Sequence, residues 1–205
     1  MGGSDEGQLQ PVLLAGGKAR RFGGKAKGLL EVEGERILDR LVNVCLDAFG
    51  VRPLLVANDP DAGTWRSDLR VVPDRLPGTG TLGGLYTAVA EAGTAIMVVA
   101  WDMPFVTAAL LRYLSSGLAR ADAALPASPN RRGIEPLCAA YGLACLGPME
   151  RAIKRGDYRA IAFHAEVRVE VEPLDVIRTF GDPSRLFFNI NTPEDLRAAG
   201  EFTPS

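Results

Sequence analysis

The sequence is poor in the residues that staple, span or hydrolyse. Its three cysteines, Cys45, Cys138 and Cys145, form no C-x-x-C pair and sit in apolar stretches. That pattern argues against a thiolate metal knuckle or a disulfide scaffold and predicts small core residues in a reducing compartment. The only histidine, His164, has no Ser-His-Asp partner set and reads as a surface or packing residue rather than a base. The longest apolar runs, such as Ala95–Trp101, are far too short to cross a bilayer. With Lys plus Arg at 23 and Asp plus Glu at 25, no basic field points to a nucleic acid polymer. Residues 1–10 are polar and contain no apolar signal core, so they are expected to be a flexible lead-in and the protein cytoplasmic. The remainder, 11–205, is expected to be one domain around one core.

What is present is alternation. Short apolar runs at Val12–Ala15, Pro53–Ala57, Leu69–Val72, Ala95–Ala100 and Ala121–Leu125 read as strands covered on both faces. Between them lie helical patterns at Ile37–Phe49, Leu82–Ala92 and Ala108–Leu118. In the first, Ile37, Leu38, Leu41, Val42, Cys45 and Phe49 share a stripe, and Gly50 stands where a C-cap glycine is expected. Further on, Leu137–Tyr141, Val167–Val171 and Phe187–Ile190 resemble strands, the second alternating apolar with charged as an edge strand does. Thr192-Pro193-Glu194-Asp195 is a helix start, with a hydroxyl N-cap, proline at N1 and acids in the first turn. The expected fold is α/β: a three-layer, mostly parallel, Rossmann-like sheet, with an antiparallel strand or edge hairpin toward the C-terminus.

The stretch after the first strand carries the chemistry. From Gly16 to Lys27 it holds Gly16-Gly17, Gly23-Gly24 and the cations Lys18, Arg20, Arg21, Lys25 and Lys27. Glycines let the backbone approach a ligand with its N–H groups forward, and Arg and Lys add forked and point charges, a set suited to a polyphosphate. No Walker register G-x-x-x-x-G-K-[ST] exists, so this is not a P-loop. Gly78-Thr79-Gly80-Thr81-Leu82-Gly83 matches G-x-G-x-x-G, but Pro77 precedes it and no strand runs into its first glycine. It is therefore read as a loop leading into the Leu82–Ala92 helix and not as a dinucleotide fingerprint.

These residues resemble the molybdenum cofactor guanylyltransferase family of nucleotidyltransferases. Leu14-Ala15-Gly16-Gly17 followed by Arg21-x-Gly23-Gly24-x-Ala26-Lys27-Gly28-Leu29-Leu30 follows that family's L-A-G-G-x-x-x-R-x-G-G-x-D-K-x-L pattern with one substitution. Val56-Ala57-Asn58, Pro73-Asp74, Leu82-Gly83-Gly84-Leu85, Asp102-Met103-Pro104-Phe105 and Asn189-Ile190-Asn191-Thr192-Pro193-Glu194-Asp195-Leu196 match later landmarks in the same order, over nearly the whole chain. The departures are Ala26 where the family has an acid, Trp101 where it often has a small or thiol side chain, and Glu135 where a glutamine is usual.

The resemblance implies that Leu14, Ala15, Gly16 and Gly17 line a nucleotide pocket, that Lys27 and Arg21 hold the triphosphate, and that Asn58 and Asp74 lie near guanine and ribose. It implies that Asp102 binds Mg²⁺, which suits an acid at the end of an apolar strand because Mg²⁺ takes one or two carboxylates plus phosphate oxygens. Local signals leave Asp102 a rival reading as a capping residue and Asp74 one as a turn former. Asn189 and Asn191 are candidates for the second substrate, with turn formation as their rival reading. The implied reaction transfers GMP from GTP to the terminal phosphate of molybdopterin. Transient contact with other cofactor-biosynthesis proteins or apo-molybdoenzymes is implied with it. Two alternatives stay open: a cytidylyltransferase acting on molybdopterin or another phosphorylated metabolite, and, because of Ala26, a nucleotide-binding relative without turnover.

Overall fold

The computed structural model describes residues 9–16 and 26–201. Its strands are β1 (Gln10–Ala15), β2 (Glu31–Val32), β3 (Glu35–Arg36), β4 (Leu54–Ala57), β5 (Val71–Val72), β6 (Ile96–Ala100), β7 (Ala123–Pro126), β8 (Cys138–Tyr141) and β9 (Val169–Glu172). The helices are α1 (Ile37–Phe49), α2 (Ala62–Trp65), α3 (Gly80–Ala92), α4 (Ala108–Ser116), α5 (Leu146–Lys154), α6 (Leu174–Ile177), α7 (Pro183–Leu186) and α8 (Pro193–Gly200). One seven-stranded sheet runs β5-β4-β1-β6-β8-β7-β9, and β2 pairs with β3 in a small hairpin. Pairing is parallel from β5 to β6 and again between β7 and β9, while β8 runs antiparallel to both β6 and β7.

Side-chain alternation sorts the strands onto two cores. On β1, Leu13 faces the layer built by α1 and α4, whereas Val12 and Leu14 face α3 and α5. The same alternation divides Met97 and Val99 from Ile96 and Val98 on β6, as the period of two requires. Ile37, Leu38, Leu41 and Val42 of α1 are wholly buried. Each such side chain contributes about 1.5–3 kcal/mol by leaving water. Helix α1 ends at Gly50, whose φ of 71° is the left-handed cap conformation. Helix α8 opens with the expected Thr192, Pro193 and acids, and Thr192 with Asp195 forms a full capping box.

The three-layer, mostly parallel sheet expected from the sequence is present, with its antiparallel strand. That strand, β8, is interior, and β9 is the edge strand that its alternating charges suggested. Two expectations are corrected. Phe187–Ile190 is not a strand: Phe187 caps α7, and the segment follows in irregular form with Ile190 N–H donating to Asp102 O at 3.0 Å. Helix α3 starts at Gly80, two residues before the expected Leu82. All three cysteines are buried and free, as expected. Among the described residues no helix is long and apolar enough to cross a membrane.

His164 packs edge-on against Phe163, with ring centroids 4.8 Å apart, and near Tyr141 at 6.5 Å. Burial holds its pKa down to about 4. Between about pH 6.5 and about pH 4 the unfolded chain therefore takes up a proton that the folded chain refuses, and stability is lost as pH falls through that window. The slope attributable to this group is at most about 1.4 kcal/mol per pH unit. Urea midpoints across the window should fall more steeply for the native chain than for His164→Phe; parallel curves would show that the imidazole is not held neutral.

Candidate functional site

The sheet's register brings distant residues to one edge. Ala15 lies opposite Ala57 and Leu14 opposite Ala100, so β1, β4 and β6 end level with one another. The residues that follow them, Gly16, Asn58 and Asp102, emerge side by side, and Asp74 follows β5 on the same edge. Strand order reverses between β1 and β6, which is where open α/β sheets leave a crevice beyond their carboxyl ends. A cleft of about 570 Å³ lies there. Leu14, Ala15, Gly16, Lys27, Asn58, Asp74, Asp102 and Asn191 all line it.

At its centre is a buried cation. Lys27 opens a 3-10 turn, Lys27–Leu29, and is only 9% exposed. Its Nζ donates to Asp102 Oδ2 at 3.0 Å and to Asn191 Oδ1 at 2.7 Å. Asp102 is fixed by the end of β6, where Trp101 N–H donates to Leu14 O and Met103 N–H to Ala100 O. Asn191 is carried alongside by the Ile190–Asp102 backbone bond, and its own N–H donates to Asp195 Oδ2 at the head of α8. Across the cleft, Asn58 and Asp74 bond reciprocally: the Asn58 amide donates to Asp74 Oδ2 at 2.7 Å, and Asp74 N–H donates to Asn58 Oδ1 at 2.8 Å.

Asn189 is not brought to this wall; its amide donates to Phe187 O at 2.9 Å and shapes the turn. Gly17 and Arg21 lie outside the described residues. The glycine stretch set aside in the sequence does reach the cleft, through Gly78, Gly80 and Thr81, and Gly84 just beyond it lines the cleft as well. The reading as a loop leading into a helix is kept, and the glycine spacing itself was the signal that could have placed it at the cleft. Trp101 and Leu137 also line the wall. Glu135, two residues before Leu137, is buried and accepts from the Asn130 amide at 2.9 Å. Burial pushes its carboxyl pKa up, and the nearby charge of Asp102 adds to the rise. It anchors the β7–β8 loop and does not itself line the cleft.

Among the described residues no cluster of three or more His, Cys, Asp or Glu side chains forms a metal cage. The donor set is one carboxylate, Asp102, beside a lysine and an amide. That fits a cation delivered with phosphate oxygens, since Mg²⁺-type ions keep few protein ligands, and does not fit a structural metal.

An open three-layer sheet whose reversal point gathers glycines, a lysine and an aspartate has the nucleotidyltransferase fold. Residues 11–169 match the MobA-like NTP transferase domain, and the chain belongs to that family. It is 35% identical to a probable molybdenum cofactor guanylyltransferase of Pelotomaculum thermopropionicum, over 92% of this chain and 90% of that one. It is 31% identical to a molybdenum cofactor guanylyltransferase of Desulfosudis oleivorans, over 92% of each. The crystal structure of molybdopterin-guanine dinucleotide biosynthesis protein A from Archaeoglobus fulgidus superposes with a TM-score of 0.79 at 27% identity, covering 94% of this chain and 97% of that one.

The side chains of Lys27 and Asp102 are 11% and 15% exposed, so removing either strands a largely buried charge. Asp102→Ala is expected to cost a few kcal/mol, toward the low end of the roughly 3–5 kcal/mol seen for fully buried pairs. Lys27→Met combined with Asp102→Leu should cost less than the two single changes added together. Simple additivity in urea titrations would mean that the pair is not coupled.

Proposed function

We propose that this chain transfers GMP from GTP to the terminal phosphate of molybdopterin, making molybdopterin guanine dinucleotide. The observation that carries the reading is the Lys27–Asp102–Asn191 cluster set among backbone-lined glycines at the switch point of the sheet. The names of the relatives over nearly full length supply the substrates.

In this reading a terminal phosphate oxygen of the acceptor attacks the α-phosphorus of GTP. The bond from that phosphorus to the bridging oxygen breaks, and pyrophosphate leaves with the electron pair. The attacking oxygen is already anionic, so no side-chain base is needed and catalysis rests on alignment and charge neutralisation. Lys27 would neutralise the phosphates, and Arg21 the leaving pyrophosphate. Leu14, Ala15, Gly16 and Gly17 would line the nucleotide, with Asn58 and Asp74 reading base edge and sugar hydroxyls through fixed donors and acceptors. Asn191 would meet the acceptor at the far side of Lys27, and Asn189 would support that turn. Asp102 would hold Mg²⁺, which supplies Lewis-acid polarisation of the phosphoryl oxygens when bound.

Two observations support turnover over the reading of a relative without it. The methyl group of Ala26 is buried in the core beneath the turn, and Lys27 finds both its partners without help from position 26.

Pyrophosphate release from purified protein with GTP, Mg²⁺ and molybdopterin is expected, and GTP is expected to raise the melting temperature more than CTP at equal concentration. Nucleotide-dependent stabilisation without pyrophosphate would favour a binding protein, and preference for CTP would favour the cytidylyl alternative. Lys27→Met should cut kcat/KM by roughly 10²–10³, the scale of one lost charge-stabilising donor. Unchanged kinetics would remove Lys27 from the mechanism.

A further inference from the structure

Trp101 is 3% exposed, and its indole stacks on Trp65 with centroids 5.0 Å apart and planes 23° from parallel. On another side it meets Gly28. A Cβ placed there would lie 2.4 Å from Trp101 Cε3 and 2.9 Å from Cζ3, so nothing larger than glycine fits without movement. The Nε1–H is buried and has no acceptor among the described residues. Among these residues the indole is held by shape and stacking.

These contacts close a circuit on one side of the cleft. Trp101 N–H is tied to Leu14 O of β1, the Trp101 ring bears on Gly28, Gly28 adjoins Lys27, and Lys27 returns to Asp102, the residue after Trp101. We infer that Trp101, backed by Trp65, is a positioning residue: by filling the space above Gly28 it sets the height of the Lys27 turn and so the place of the ammonium between Asp102 and Asn191. The inference rests on the proposed function for its kinetic consequence, but not for its structural one.

The test uses Gly28→Ala, Trp101→Leu, their combination and Lys27→Met, each first checked by melting. In the ligand-free protein the side-chain ammonium NMR signal of Lys27, assigned by its loss in Lys27→Met, should move in Gly28→Ala and return in the Gly28→Ala/Trp101→Leu pair. An unmoved signal, or one that fails to return, overturns the inference whatever the enzyme catalyses. Kinetically, Gly28→Ala should lower kcat by on the order of a hundredfold, the effect of about 1 Å of misplacement, with partial recovery in the pair. Added to Lys27→Met, the same glycine change should cost nothing more. A further loss there would make Gly28 and Trp101 scaffold alone, and the inference would fail while the functional reading stood. If the native chain releases no pyrophosphate, that reading fails, and the NMR arm alone decides the inference.

Discussion

A mostly buried ammonium must be answered by fixed acceptors, and that requirement organises the cleft. Lys27 stands 75 positions from Asp102 and 164 from Asn191, yet its Nζ reaches both within 3.0 Å. Desolvating a lysine and an aspartate costs several kcal/mol for each ion, and their attraction repays this only with good geometry and further hydrogen bonds. The Asn191 carbonyl oxygen supplies one such bond. The cluster is thus a long-range crosslink as well as a site: it ties the Lys27–Leu29 turn to the end of β6 and the entry to α8, which the Ile190–Asp102 backbone bond also joins.

The sheet supplies the place. Because β1, β4 and β6 are parallel and end in register, the residues after them share one rim without any long loop to carry them. The reversal of strand order beside β1 leaves that rim uncovered by crossovers, while α1 and α4 close one face and α3 and α5 the other. Running β8 against its neighbours adds a strand at the other side of β6 and places the β7–β8 loop, held by Glu135 and Asn130, at the same rim. Leu137 then reaches the wall of the cleft.

Much of this was legible from pattern. The alternation of Val12, Leu13 and Leu14, the stripe on α1, Gly50 and the Thr192 capping signals all act through local periodicity or local hydrogen bonds, and the structure follows them. The failures are those of local reasoning. Phe187–Ile190 has the apolar content of a strand, but its backbone N–H groups bond to Pro183, Arg185 and Asp102 rather than to a ladder. The Gly78–Gly83 stretch does lead from a loop into a helix as read, but only the path of the chain shows that α3 begins at Gly80 and turns that end toward the cleft. Nothing in the spacing of Asn189 and Asn191 tells them apart. Only the path of the chain sends one amide to a backbone carbonyl and the other to Lys27.

The Lys27–Asp102 pairing also constrains how a nucleotide can enter on the proposed reading. Lys27 and Asp102 satisfy one another, so a triphosphate that draws the ammonium away also withdraws the partner of the carboxylate. Left alone, that carboxylate would be a largely buried charge without compensation, the situation most costly to a folded protein. On that reading, binding of the anionic phosphates would be coupled to the arrival of a positive charge for Asp102. An aspartate already paired with lysine would hold a divalent cation poorly in the absence of nucleotide, and the second carboxylate of the cleft, Asp74, is taken up by Asn58. Coupling of this kind restricts the loaded state to nucleotide and cation together, a selectivity produced by desolvation rather than by additional contacts.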